Sequence, residues 1–384
     1  MATDAVVLAE LIRRVSPLGS MEYWAEAGPT INQPDGSEWL RSGTVKAAAG
    51  YTVAASLEHI KVSGVPVTLP AAVLVTQIAT DSAGTFVAAY GSSSNLLVST
   101  NGGATWATVS HGLGSGCYGV AYGGGVFVTA CGTGATASFA SATPAAVTST
   151  WTSRGTLSSA LVNCRIFYGG GKFVAIPAGS GTAAANSSTG TSWSNCTLTA
   201  SSNGPALWTG TKWLVSPNGA STSGSQSTDG ATWSAWTAPV GNIASMAYGN
   251  SVALIQSNVG VYRSTDGGTT WALVNVAANS GYAPLDLNFD GTRFMATAGD
   301  ASTRGAWYST DGLTWAVRNL ALADGTRPII CSDGTRLVAM PAISSAAAVY
   351  SSNFSTADYV GITQKLLMYG GNPDTSAIGY VRIK

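Results

Sequence analysis

One phrase recurs along the 384-residue chain, and it limits the folds open to it more than any other feature. It reads STNGGATW at 99–106, STDGATW at 227–233, RSTDGGTTW at 263–271 and STDGLTW at 309–315, with a worn copy, SSTGTSW, at 187–193. Its residue types build a turn. Asp or Asn accepts hydrogen bonds from backbone N–H groups a few residues on, and Ser and Thr add weaker bonds of the same kind. Gly supplies the positive φ that other residues resist. The Trp opens the next strand with a large apolar face. Counting a degenerate copy that ends at Trp151, the Trp residues fall at 106, 151, 193, 233, 271 and 315, about 40 residues apart, a period that belongs to repeat architectures.

A second ladder runs in step. Short apolar segments align on Phe86, Phe127, Phe173, Trp213, Val252, Phe294 and Leu337. Each unit resolves into four short β segments, a to d. In the fifth these are 243–248, VALIQS, GVYRS and TWALVNV, with the recurring phrase turning c into d. Four antiparallel strands every ~40 residues is the pattern of a propeller blade. The expected fold is all-β: a seven-bladed β-propeller of four-stranded antiparallel blades over 73–361.

The phrase resembles the Asp-box of sialidase-type propellers, S-x-D-x-G-x-T-W, matched at Ser264, Asp266, Gly268, Thr270 and Trp271. Further copies place Ser227, Asp229 and Trp233, and Ser309, Asp311 and Trp315, in the same structural role. The resemblance implies fold and not activity, because the family's Asp-boxes are turns away from its active site. Its enzymes also use a Tyr nucleophile paired with Glu. Here Glu10, Glu22, Glu26, Glu38 and Glu58 all precede the repeats, and the repeats contain no Glu. The family's Arg-Ile-Pro segment is reduced to Arg165-Ile166. Two Asp can serve as acid and base in other glycosidases. Asp229, Asp266 and Asp311 belong to c–d turns, and Asp81, Asp290 and Asp333 to a–b turns. Asp286 and Asp300 then form the best catalytic pair available. The main expectation is a protein without catalytic residues.

Composition narrows the classes further. Only 9% of residues are charged and the formal net charge is zero, which argues against a nucleic-acid partner. No apolar run approaches the ~18 residues of a membrane span, so no membrane insertion is expected. The N-terminus carries no secretory pattern. The five Cys, at 117, 131, 164, 196 and 331, are odd in number and lack C-x-x-C spacing. Buried free thiols are expected rather than a disulfide framework or a zinc site. With only His59 and His111, no metal and no cofactor is expected.

In an antiparallel blade the a–b and c–d turns share one face, and the b–c and d–a loops share the other. The first set is short and uniform here. The second varies, as in GSSSN (91–95), PNGASTSGS (217–225) and GDASTRG (299–305). Function sits preferentially on variable loops over a rigid scaffold. Ser, Thr, Asn and Gly with scattered rings suit sugar hydroxyls. The candidate ligand-binding residues are His111, Asn279, Tyr282, Asp300 and Arg304. The column Tyr122, Tyr168, Trp208, Tyr248 and Phe289 recurs by blade and reads as packing.

The ends stand apart from the repeats. Over 1–20, Val7, Leu8, Leu11, Ile12 and Val15 share one face of a short helix, and Ser16-Pro17 ends it. Residues 21–72 form an attachment region or linker, and 362–384 a C-terminal tail. The stretch NQPDGSEWLRSGTV (32–45) and the ending YVGI…YVRIK resemble tail-fibre and tail-tip proteins of bacteriophages. That resemblance implies a virion tail protein made in the host cytoplasm and acting outside. It would bind other tail proteins through its N-terminal region and host surface polysaccharide or lipopolysaccharide through the variable loops. It allows a homotrimer, and a purely structural virion role is the other non-enzymatic reading. The ring could close in two ways: the last unit carries its own strand d within 351–359, or VSGVPVTL (62–69) supplies an outer strand and protects the edge.

Overall fold

The computed structural model describes residues 51–53, 60–63, 65–91, 93–114, 116–132, 136–158, 161, 163–202, 204–274, 284–298, 305–320, 328–342, 345–351, 359–363, 366–370 and 376–379. The chain divides into two units, Ser63–Asp358 and Met1–Val62 with Tyr359–Lys384. In the smaller unit, Tyr51–Val53 pairs antiparallel with Leu366–Gly370, which pairs in turn with Ser376–Gly379. The helix expected over 1–20 and the segment 32–45 lie outside the described residues.

In the larger unit the repeats form antiparallel sheets of short strands. The first blade holds Gln77–Thr80, Phe86–Ala89, Asn95–Ser99 and Ala107–Ser110. The second holds Gly119–Gly123, Val126–Gly132, Thr136–Ala142 and Thr152–Ser158. The third holds Arg165–Gly169, Lys172–Ile176, Gly181–Ser187 and Ser194–Ser202. The fourth runs from Ala206–Trp208 to Ser234–Thr237, and the fifth from Ile243–Gly249 to Ala272–Val274. The last contains Pro328–Ser332, Leu337–Pro341 and Ser345–Ser351, and its outer strand comes from far upstream. Val65–Val73 pairs antiparallel with Ser345–Ser351, placing Val67 opposite Ala348. The second of the two closures is therefore the one formed.

The expectation of seven four-stranded blades is corrected. Among the described residues six sheets are four-stranded blades, making a six-bladed set, and the strands over 284–320 belong to a larger sheet. Periodicity counts repeats. It does not report how many strands a sheet gathers, since an unpaired outer edge can accept more.

Each blade is cemented to the next by its second strand. Phe86, Phe127, Phe173 and Phe294 are fully buried, and Trp213 nearly so. Burying each contributes roughly 1.5–3 kcal/mol. Apolar clusters straddle neighbouring sheets: Val98 and Leu96 with Phe127, Phe139 with Phe173, Val174 with Trp213, Leu214 with Ile255, and Leu254 with Phe294. Leu69 and Met340 pack with Phe86 and Leu97, joining the last blade to the first.

The recurring phrase closes its turn as its residue types require. Asp266 Oδ1 accepts from Ser264 Oγ at 2.7 Å and from the N–H groups of Thr269 and Thr270 at 2.9 Å. Asp229 and Asp311 repeat the pattern, and Asn101 does so in the first blade. The turn also has a packing role. Gly190, Gly230, Gly268 and Gly312 all have φ between 70 and 82°. They abut Val128, Val174, Leu214 and Leu254, each on the second strand of the preceding blade. A side chain there would be both strained and obstructed, so the phrase is a blade-to-blade contact as well as a turn.

Candidate functional site

The first strands of the sheets line a central cavity of about 500 Å³. Gln77, Arg165, Ser245 and Asp286 lie near the starts of these strands, the end reached by the d–a loops. Tyr168, Trp208, Tyr248 and Phe289 lie near their finishes. The wall therefore has a polar end on the variable-loop side and an aromatic end on the side of the uniform turns.

Close packing makes both ends. At the polar end, Gln77 Nε2 donates to the Ile166 carbonyl at 2.6 Å, and its Oε1 accepts from Ile166 N–H. The first blade thus reaches the third past Gly119, where a Cβ would sit 2.7 Å from the backbone of Cys164 and Arg165. At the aromatic end each ring lies over a glycine of the preceding blade: Tyr168 on Gly123, Trp208 on Gly169, Tyr248 on Gly210 and Phe289 on Gly249. These rings stay partly accessible, with Tyr168 38% exposed. The column is packing on one side and cavity wall on the other.

Two charged groups face this cavity. Asp286 Oδ1 accepts from Ser245 Oγ and Oδ2 from Ile330 N–H, both at 3.0 Å. Ser245 Oγ also accepts from Leu287 N–H at 2.9 Å. Asp286 is thus a bracket across three sheets. Burial pushes its carboxyl up to about 6, against the opposing pull of those bonds and of the Arg165 charge. Among the described residues Arg165 has no hydrogen-bond partner at its buried Nε, and burial holds its pKa below the usual arginine value. It carries a donor that no described residue uses.

The structure separates the residues singled out in the sequence. Asn279, Tyr282, Asp300 and Arg304 lie outside the described residues, so Asp286 has no described second carboxylate as catalytic partner. His111 is 1% exposed. Its Nε2 faces the Ser93 carbonyl at 3.4 Å and its Nδ1 faces Cys117 Sγ at 3.8 Å. It is buried rather than presented to solvent. Asp81, Asp290 and Asp333 close a–b turns through backbone N–H groups.

The expectation of free thiols is corrected at two positions: Cys117 and Cys131 form a disulfide. They lie on either side of the first hairpin of the second blade, and strand pairing brings together what sequence spacing keeps apart. Cys164 and Cys331 are buried thiols and Cys196 is half-buried. Burial pushes the Cys164 thiol up to about 12.

Arg165, Gln77 and Ser245 were not among the candidates. The available signal was the scarcity of charge: Arg165 is a lone cation opening an inner strand in a repeat region with few ionisable groups.

Sheets of this kind set radially about a central cavity define a β-propeller. No family model matches the chain, and no curated protein sequence matches it. Among solved structures it is similar to YCF48 bound to D1 peptide, with 14% identity, 77% of this chain and 97% of that chain covered, and a TM-score of 0.57. It is also similar to virginiamycin B lyase from Staphylococcus aureus, with 10% identity, 75% and 98% covered, and a TM-score of 0.57. YCF48 from Cyanidioschyzon merolae gives 13%, 75% and 98%, and 0.54. At these identities the likeness is one of fold.

Proposed function

We propose that the chain is a non-catalytic glycan-binding propeller, acting as a bacteriophage tail fibre or tail-tip adhesin. The tail-protein part of this reading comes from the resemblance at 32–45 and at the C-terminus, and the sialidase-type Asp-box resemblance belongs with it. Binding takes place on the variable-loop face, with host surface polysaccharide reaching the polar end of the central cavity. The observation that carries it is the unpartnered Arg165 Nε in the wall of that cavity. A buried donor without a partner costs about 1–3 kcal/mol, and a polar ligand would remove that cost. At the opposite, uniform-turn end of the same cavity, the partly exposed rings of Tyr168 and Trp208 add faces on which a pyranose that enters the cavity can stack.

The experiment is binding of labelled full chain to a panel of bacterial strains, with purified surface polysaccharides as competitors. Strain-selective, competable binding is expected, weakened at least tenfold by R165M. Absence of binding to every strain, including a host of the source phage, would refute the adhesin and leave a structural virion role.

One observation favours a second reading. A cavity carboxyl raised to about 6 is a common property of a general acid, so Asp286 with Asp300 could serve a polysaccharide-cleaving glycosidase. New reducing ends released from a bound polysaccharide would establish it. Against it, both Asp286 oxygens are engaged by the protein.

A further inference from the structure

We propose that His111, Cys117 and Cys131 form a redox-gated site for a zinc-like divalent cation, closed in the disulfide form and open when reduced. Their donor atoms all lie within 4.8 Å of one another, and all three residues are buried. The site sits at the crossover from the first blade to the second. His111 follows Ala107–Ser110, Cys117 precedes Gly119–Gly123, and Cys131 lies in Val126–Gly132.

The orientation of the imidazole carries the argument. Leu113 N–H donates to Nδ1 at 3.3 Å, so Nδ1 is the acceptor nitrogen and Nε2 bears the proton, and a metal ion would have to displace Leu113 N–H from that lone pair. The proton is directed at the Ser93 carbonyl. Metal-binding histidines are held this way, with the distal N–H on a carbonyl and the other nitrogen toward the metal. The spacing also fits. Tetrahedral Zn²⁺, with Zn–S of ~2.3 Å and Zn–N of ~2.0 Å, sets nitrogen and sulfur ~3.6 Å apart. Nδ1 and Cys117 Sγ are separated by 3.8 Å.

The frame survives opening of the bond. The Cys117 carbonyl accepts from Gly91 N–H at 2.9 Å, and His111 N–H donates to the Ser94 carbonyl at 3.2 Å. Cys131 is held in its strand opposite Ser138. After reduction the two sulfurs need part only to ~3.8 Å, the edge of the same tetrahedron. The chemistry balances. A small dithiol gives two electrons and two protons to the sulfur–sulfur bond, yielding two thiols and its own disulfide. Binding of Zn²⁺ by two sulfurs then releases both thiol protons. Protein supplies three ligands, and water completes the fourth position.

The test uses the full chain, prepared either with a phosphine reductant under inert gas or fully oxidised. Zn²⁺ stoichiometry is measured by equilibrium dialysis, and Co²⁺ serves as the optical probe. Reduced protein should take up one equivalent with a thiolate-to-cobalt charge-transfer band, and oxidised protein none. C117S should abolish uptake, H111Q should weaken it at least tenfold, and the triple variant C164A/C196A/C331A should bind as wild type does. No uptake by reduced protein, or uptake unchanged in C117S, overturns the proposal. If C117S fails to fold by circular dichroism, H111Q decides: unchanged affinity overturns it and a tenfold loss supports it.

Discussion

Replacing Asp286 by Asn should remove a pH dependence of stability whose size and direction follow from its surroundings. An aspartyl group in an unfolded chain ionises near ~3.9. In the fold, burial moves Asp286 to about 6. Because its folded pKa is raised, the protonated form is favoured on folding. Asp286 therefore costs no ionisation penalty below pH ~4, becomes progressively destabilising between ~4 and about 6, and contributes a constant penalty above that. Two units at 1.36 kcal/mol each give a step of about 3 kcal/mol. The absolute stability of D286N is a poorer readout. The amide leaves one of two donors, Ser245 Oγ or Ile330 N–H, facing an NH₂ group, at a cost of about 1–3 kcal/mol. The difference between wild type and variant across pH isolates the titration. Urea unfolding followed by Trp fluorescence from pH 3.5 to 7.5 should show wild type losing about 3 kcal/mol relative to D286N between pH 4 and 6. A difference that is flat across that interval would refute the assignment of Asp286 as a desolvated, bracketed carboxyl.

Two further outcomes test the turns. Gly268→Ala puts a methyl 2.6 Å from Leu214 at φ 82°, adding about 1–3 kcal/mol of overpacking to about 1 kcal/mol of backbone strain. Gly171→Ala, at φ 75° with open space around it, should cost only the strain, and equal shifts in urea midpoint would remove the packing role. Asp311 has the sign opposite to Asp286, since the N–H groups of Thr314 and Leu313 hold its carboxyl below the usual range. The stability it adds is present above ~3.9 and is lost as pH falls through its folded pKa. D311N should therefore flatten the acid limb of an unfolding profile, and an unchanged limb would exclude the turn as its source.

The propeller was legible because turn chemistry and apolar periodicity repeat together. Phe86, Phe127, Phe173, Trp213 and Phe294 align in the sequence and lie buried at corresponding places in the fold. The number of four-stranded blades was not legible, because a sheet edge recruits strands without leaving a local pattern. The cavity was only half legible. Trp208 and Tyr168 were visible as a recurring column, but a residue that packs with one face and lines a wall with the other has no sequence signature of its own. Arg165 was obscured by its position at the start of an ordinary strand, and the importance of its Nε lies in what fails to bond to it. The cysteine pair was hidden for a topological reason. Cys117 and Cys131 meet only after the strand between them folds back on its neighbour.

The Val65–Val73 strand makes completion of the ring a late event in the life of the chain. A ribosome releases that strand early and its partner, Ser345–Ser351, only after nearly all of the unit between them has emerged. Until then one sheet edge stays open at each end of the array, and those edges are the places where nascent copies on neighbouring ribosomes could pair wrongly. The sparse charge of the sequence offers little electrostatic protection during that wait. A chaperone that shields Val65–Val73 until its partner arrives would address this vulnerability.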